Sequence, residues 1–248
     1  MIYRIKCCLL LLLWPAFLAA QSIEEGAALL REAELKRQPW PVMTSVIQLD
    51  DNGPAGHSTH LYHVFYNADK VLLAYMSPAE SGNLLLMVKD GLWFYTKDTR
   101  MPTRITPMQK MSGSVSYGDL TNLSWKDYVV TAMENTTYEN TAAHLLHLAA
   151  KNKSATYQKV DLWINKANKR PITAVSYLLS GKKYKTIRYT KYNISEGKDV
   201  NTQILFTDHF NKDRESTVDF VKIKSEQQLP NRYFIKTALP EISNEICK

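Results

Sequence analysis

Apolar and polar residues alternate in short segments along most of the chain after Pro41. Segments of this kind, rich in Val, Leu, Tyr and Phe and separated by turn residues, predict β-strands. About eleven or twelve strands with no helices alternating between them indicate a mainly β fold, built as a large curved antiparallel sheet or barrel. The predicted strands are Val42–Leu49, Ser58–Tyr66, Val71–Met76, Leu84–Lys89, Leu92–Tyr95, Val129–Glu134, Ala142–Ala149, Gln158–Ile164, Thr173–Leu179, Tyr184–Tyr192, Gln203–Asp208 and Ser216–Lys224.

One amphipathic helix is predicted ahead of the strands. Ser22 and Glu25 have the spacing of a capping box, and apolar residues continue at helical spacing toward Arg37. Pro39 and Pro41 then end the helix, because proline cannot continue the helical hydrogen-bond pattern.

Hairpin turns are predicted between several of the strands. Asp90-Gly91 lies between two apolar runs and is the strongest hairpin signal in the chain, because both turn positions need positive φ and these residues tolerate it. The breaks at Ser180-Gly181, Glu196-Gly197 and Asn211-Lys212-Asp213 also have hairpin lengths. The strands on either side of these breaks are therefore expected to be antiparallel neighbours.

The segment 98–124, called the insertion below, departs from the rhythm of strands. It carries Met101, Met108 and Met111, and methionine adapts to irregular apolar partners. One interpretation is a lid over an apolar ligand site, whose methionines contact the ligand. The other is a loop whose methionines complete the core at one end of the sheet.

The N-terminus has the pattern of a signal peptide. Arg4 and Lys6 precede an apolar run that ends in Ala19-Ala20, and this run is short for a membrane span. We therefore predict a signal peptide over residues 1–20, a mature chain that begins at Gln21, and export to a periplasm-like compartment. A membrane anchor is the alternative.

Composition and length restrict the disulfides, the number of domains and the partners that the mature chain can have. Cys247 is its lone cysteine, so no intramolecular disulfide is expected and the fold must depend on its core. Residues 21–248 are expected to form a single domain, since all-β barrels and sandwiches of this length usually do. The formal charge of the full chain is +7, but the basic residues are spread along it and no nucleic-acid-binding motif is present, so no nucleic-acid partner is predicted.

Neither a metal site nor a catalytic site is predicted. His57, His60 and His63 recur every third residue, but positions three apart on a strand point to opposite faces. The mature chain also lacks the zinc-protease, paired-cysteine, nucleophile-elbow and phosphate-loop motifs. We therefore expect no cofactor and no enzymatic activity.

The stretch from Val71 to Ser124 resembles the outer-membrane lipoprotein-sorting protein family, the relatives of the periplasmic carrier LolA and its acceptor LolB. The match consists of a Ser-Pro-x-x-x-Gly turn, an Asp-x-Leu-Trp-x-Tyr hairpin, an Arg-Ile-x-Pro segment and a Gly-Ser…Ser-Tyr-x-Asp-Leu motif. Gly118 departs from the pattern, since an acidic residue is common there in the family. The matching residues are Ser77, Pro78, Gly82, Asp90, Leu92, Trp93, Tyr95, Arg104, Ile105, Pro107, Gly113, Ser114, Ser116, Tyr117, Asp119 and Leu120.

The resemblance implies an open, incomplete antiparallel barrel around a helical lid, with an apolar cavity that receives acyl chains. It implies a periplasmic carrier or chaperone for a lipid or lipoprotein, working as a monomer with a membrane transporter or outer-membrane acceptor. Burying one CH₂ is worth about 0.8 kcal/mol, so a chain of about 16 carbons cannot be released into water and needs such a partner. The alternative is a regulatory, sensor or scaffold protein on the same fold.

Strand alternation and the resemblance together nominate the wall of this cavity. Tyr117 and Asp119 are expected to anchor the far end of the insertion to the sheet. The alternative for each wall residue is ordinary core packing. The nominated strand residues are Leu73, Tyr75, Leu84, Leu86, Val88, Trp93, Tyr95, Val160, Leu162 and Ile164, to which the insertion adds Met101, Met108 and Met111.

Overall fold

A 13-stranded antiparallel sheet dominates the computed structural model, which describes residues 6–53, 56–99, 101–121, 124–153, 155–211 and 214–246, with side chains from Ser22 onward. The strand order is β6-β5-β4-β3-β2-β1-β15-β14-β13-β12-β11-β10-β9, so β6 and β9 form the two edges. The predicted mainly β, open antiparallel fold is confirmed. All twelve predicted strands are present.

The strands of the main sheet have the following bounds: β1 Val42–Gly53, β2 Gly56–Asn67, β3 Lys70–Tyr75, β4 Leu84–Val88, β5 Gly91–Tyr95, β6 Thr103–Ile105, β9 Tyr128–Tyr138, β10 Thr141–Ala150, β11 Lys159–Asn165, β12 Pro171–Tyr177, β13 Lys183–Ser195, β14 Lys198–Asp208 and β15 Arg214–Ser225.

The sheet consists of two meanders that meet where the first strand pairs with the last. Leu49 of β1 lies opposite Val218 of β15, and the remaining neighbours follow in chain order on each side. The connection from β6 to β9 therefore runs from one edge of the sheet to the other. The insertion thus includes β6 itself, a strand that the sequence did not predict, and supplies most of this connection. Within the connection, β7 (Lys110–Ser112) pairs with β8 (Val115–Ser116), and α2 (Tyr117–Thr121) follows.

A long helix, α1, spans Lys6–Arg37 and ends just before Pro39, as predicted. The helix continues through Ser22, so the expected start at that residue is wrong: the apolar run before it is helical as well. The predicted signal peptide involves residues 1–5, which lie outside the described residues, and residues 6–20, which are described only as backbone. In the part of the chain that the structure describes, no helix is both long and apolar enough to cross a membrane.

The two faces of the sheet are covered by different elements. α1 lies against β9 and β14, and its Leu29, Leu30 and Ala33 enter the larger apolar core on what we call the inner face. The opposite, outer face carries a smaller core under the C-terminal segment, which ends in α3 (Leu239–Ile246) after two short 3₁₀ helices, Asn231–Phe234 and Lys236–Ala238.

The hairpin predicted around Asp90 joins β4 and β5, with a shift of one residue. Val88 pairs with Gly91, so the two turn residues are Lys89 and Asp90. Gly91 has a φ of +140° and starts the next strand. Its missing side chain accommodates the Arg104 guanidinium, whose Nε would lie 2.8 Å from a Cβ there.

Candidate functional site

The inner face of the sheet presents a continuous apolar surface. Five of the nominated wall residues lie on it, and all five are buried in the larger core. Alternation along the strands explains the placement. Residues that lie opposite one another on neighbouring strands face the same side of the sheet, and here that side is the one with the larger core. The five residues are Leu73, Tyr75, Val160, Leu162 and Ile164.

The other five nominated strand residues lie on the outer face, so the nominated set does not form one wall. They pack around the smaller core, in which Leu239 and Ile242 of α3 are fully buried. The run from Leu84 to Met87 is apolar at every position because both faces are covered, and such a run does not reveal which residues face inward. The five residues are Leu84, Leu86, Val88, Trp93 and Tyr95.

The inward residues of β4 and β5, which the sequence reading missed, are the alternate ones. Leu85 is fully buried in the inner core and lies opposite Leu73, while Phe94 lies opposite Leu85. A shift of one residue moves a whole strand's side chains to the other face. Leu73 faces inward. Together with the register of the hairpin, this would have identified the residues of β4 and β5 that face the same way.

The three methionines of the insertion have different surroundings. Met111 is partly buried and packs against the inner core. Met101 is 73% exposed and Met108 is 39% exposed. Met111 therefore lies against the apolar core of the inner face, whereas Met101 is mostly exposed to solvent.

A buried polar cluster attaches the insertion to the sheet through Asp119. Its carboxylate pairs with Lys185 of β13 and accepts hydrogen bonds from the Ser116 amide at 2.7 Å and the Tyr157 hydroxyl at 2.5 Å. Lys185 also donates to Ser116 Oγ at 3.1 Å. Burial lowers the pKa of Lys185 against the opposing effect of Asp119, and burial together with Asp119 raises the pKa of Tyr157.

The neighbouring residues of α2 pack closely around this attachment. The Tyr117 ring lies 5.7 Å from that of Phe94 on β5, so both residues of the predicted anchor contact the sheet. At Gly118, an added Cβ would collide with the Thr156 hydroxyl and lie 2.8 Å from Pro107 Cβ. This close approach accounts for glycine at a position where the related pattern has an acidic residue.

A second attachment lies at the hairpin between β7 and β8. The Ser114 amide donates to Ser216 Oγ at 2.8 Å, and that hydroxyl donates to Asp51 Oδ1 at 2.8 Å. Arg214 pairs with the same carboxylate. Gly113 has a φ of +53° and lies so close to Asp51 and Ser216 that a Cβ would collide with both.

A third cluster joins α1 to the end of the insertion. The buried carboxylate of Glu34 accepts hydrogen bonds from Ser124 Oγ at 3.0 Å, from the Trp125 amide at 2.8 Å and from Arg37 at 3.0 Å. The two elements that cover the inner face are thereby connected. Glu34 lies four residues after Leu30 on the apolar side of the helix, which is the sequence signal that could have identified it.

Among the residues that the structure describes, no group of three or more His, Cys, Asp and Glu side chains could hold a metal.

An open antiparallel sheet whose inner face is covered by one long helix and an edge-to-edge insertion defines a LolA-like protein. The LolA superfamily protein from Nitrosomonas europaea is 27% identical, with a TM-score of 0.78 over 85% of this chain and 97% of that one. A putative outer membrane lipoprotein-sorting protein domain from Vibrio parahaemolyticus is 18% identical, with a TM-score of 0.74 over 88% and 99% of the two chains. A DUF1329 family protein from Desulfovibrio piger, 17% identical, has a TM-score of 0.72 over 88% and 99%.

The chain belongs to a family whose model is described as "Uncharacterized protein" and matches residues 67–241. The resemblance to LolA-like proteins predicted from the sequence is thus confirmed. No curated protein matches the sequence significantly.

Proposed function

We propose that the protein binds the acyl chains of a lipid or lipoprotein against the inner face of the sheet and carries them between membranes of the cell envelope. The observation that carries this proposal is that a broad apolar sheet face is covered by α1 and the insertion rather than by a second sheet. Such covering elements can move aside while the sheet stays intact. The insertion then acts as the lid.

Exchange of apolar contacts makes loading feasible. Leu29, Leu30 and Val115 are buried on the inner face of the sheet. An acyl chain that replaces such side chains keeps the sheet face out of water, and the chain itself passes from one hydrocarbon environment to another. The net free energy is then close to zero even though about 0.8 kcal/mol per CH₂ opposes escape into water.

The polar clusters hold the cover of the inner face, that is α1 and the insertion, in a defined closed position. Asp119 and Ser114 fix the insertion at two points on the sheet, and Glu34 connects α1 to the insertion's end. Opening must break hydrogen bonds to buried charged groups, each worth roughly 1.5–3 kcal/mol. A partner that competes for these groups would promote opening.

Unpaired polar atoms near α1 are candidate contacts for the polar part of the cargo. Arg37 Nε and the Tyr189 hydroxyl are buried without a hydrogen-bond partner among the described residues. An ester or headgroup oxygen could accept a hydrogen bond from either atom.

The compartment and partners follow from the same proposal. We place the mature chain, Gln21 onward, in the periplasm and expect it to receive cargo from a membrane transporter and deliver it to an outer-membrane acceptor. The direction of cargo transfer must come from such partners, because an exchange with a net free energy close to zero favours neither direction.

Native mass spectrometry of protein purified from the periplasm, followed by lipid extraction, tests the proposal. The expected result is a population whose mass exceeds that of the polypeptide by one acyl lipid or lipopeptide. Protein lacking residues 1–20, purified from the cytoplasm and mixed with phospholipid vesicles, should gain the same class of adduct. The absence of any acyl adduct in both preparations would contradict the proposal.

A further inference from the structure

A separate cavity opens on the outer face of the sheet, away from the proposed acyl site. Its volume is about 350 Å³. Six outward side chains of β1, β2 and β15 form its floor in two cross-strand rows, His63-Val46-Lys222 and Phe65-Thr44-Lys224. The segment after β15 closes one side of it with Glu226, Leu229, Pro230 and Tyr233.

One half of this outer pocket is apolar and aromatic. The Tyr233 ring meets Phe65 edge-on with centroids 5.3 Å apart, and Phe65 lies 4.2 Å from the His63 ring. Leu229 is buried beside them. These groups form a wall that suits a ring or a short alkyl chain.

The other half carries two hydrogen-bond donors, Lys222 and His63. Glu226 is already engaged, since it accepts from Thr44 at 3.2 Å and from Lys224 at 3.1 Å. Within the described part of the chain, neither Lys222 nor His63 has a hydrogen bond or an ion pair with another side chain. Burial and the nearby Lys222 lower the pKa of His63, against the weaker opposite effect of Glu226, so its imidazole is neutral at pH 7 and can donate one N–H.

We propose that the outer pocket binds a small amphipathic anion, whose carboxylate or phosphate accepts hydrogen bonds from Lys222 and His63 and whose short apolar part lies against Phe65, Leu229 and Tyr233. The volume is at the lower end of the range of small-molecule sites, so it suits a compact molecule and not a complete lipid. This site is independent of the inner face, and either can exist without the other.

Proton NMR of the His63 ring tests the proposal, with hexanoate, hexyl phosphate and uncharged hexanol as probes and His63→Gln to assign the signal. We expect a saturable shift of the His63 signal with at least one of the two anions, and weaker binding of hexanol. Comparison of hexanoate with hexyl phosphate shows which anion the pocket prefers. Binding should also raise the pKa of His63, because an anion stabilises the imidazolium against the repulsion from Lys222.

The variant Lys222→Gln should weaken binding of the preferred anion by about tenfold or more, the loss expected for a hydrogen bond to a charged group. Lys191→Gln, which removes an exposed lysine of β13, changes the net charge equally and should leave the affinity unchanged. Because Lys222 is exposed, its substitution leaves the fold intact. No saturable shift with either anion, equal affinity in the Lys222 variant, or equal affinity for hexanol would overturn the proposal.

Discussion

The buried pair of Lys185 and Asp119 places two opposite charges where the insertion meets the sheet. Both side chains are inaccessible to solvent. Lys185 also lies over the rings of Tyr157, Tyr184 and Phe206, at 5.6–5.8 Å from their centroids. Removing one partner would leave the other charge buried and unpaired.

Asp119→Asn and Lys185→Met should each therefore reduce the free energy of unfolding by about 3–5 kcal/mol. The double variant Asp119→Asn with Lys185→Met removes both charges and should be more stable than either single variant. Urea denaturation measures all three, with the exposed Lys183→Met as control. Additive losses in the double variant would show that the pair is not coupled.

His147 gives the protein a local dependence on pH. Its Nδ1 lies 2.6 Å from Asp161 Oδ1 and its Nε2 lies 3.3 Å from Glu134 Oε1. Burial opposes protonation, but the two carboxylates prevail and raise the pKa of His147. Since the folded state holds this proton more tightly, the stabilisation is complete below the unfolded pKa of about 6.5 and is lost as pH rises through the folded pKa.

The melting temperature of the wild-type protein should thus fall, relative to that of His147→Gln, as pH is raised through this window. Thermal unfolding monitored by circular dichroism across the pH range provides the comparison. Parallel curves for wild type and His147→Gln would show that the carboxylates do not act on this histidine.

At the scale of elements, the cover of the inner face depends on the contact between α1 and the insertion. Glu34 makes this contact from the buried side of the helix, whereas Glu32 on the same helix is exposed. Loss of the Glu34 charge weakens three hydrogen bonds at once. The contact between α1 and the insertion should therefore be sensitive to a single substitution at Glu34.

Glu34→Gln should accelerate amide hydrogen exchange at Trp125 and in the residues that follow it, by roughly tenfold or more, as expected for a loss of about 1.5–3 kcal/mol. Glu32→Gln is the matched control and should leave exchange there unchanged. Exchange measured by NMR or mass spectrometry resolves the two variants. Unchanged protection in Glu34→Gln would mean that α1 and the insertion are held independently.

The sequence predicted which strands and helices are present better than it predicted which side of the sheet each residue faces. Twelve strands and the helix end before Pro39 were recognisable because alternation, β-branched residues and proline act locally. The side of the sheet on which Leu84 and Leu86 lie was not recognisable, because the C-terminal helix that covers them is distant in sequence. The same holds for the inner face of β3, because only tertiary packing brings α2 against this strand.

Charged side chains inside the cover were also missed. Lys185 and Glu34 were overlooked because lysine and glutamate are usually exposed, and their buried partners lie 66 and 91 residues away. Asp119 was identified only through the family resemblance. Spacing alone could not have indicated its partners.

At the scale of the whole molecule, the pairing of β1 with β15 determines how the fold works. This pairing joins the two meanders and leaves the sheet edges at β6 and β9, which are joined along the chain by residues 106–127. A covering segment tethered at both edges can shift without leaving the sheet. The strand order follows from contacts between the two ends of the chain, which no local pattern in the sequence encodes.

Photo-crosslinking tests the central claim, that acyl chains occupy the inner face, most directly. The probe is a phospholipid with a diazirine near the methyl end of one acyl chain, which is too large for the outer pocket. We predict labelled peptides from the inner residues of β3 and β11, such as Leu73 and Leu162, and from α1 or the insertion. Labelling confined to the outer face around Leu86 and Trp93, or no labelling above that of a denatured control, would contradict the account.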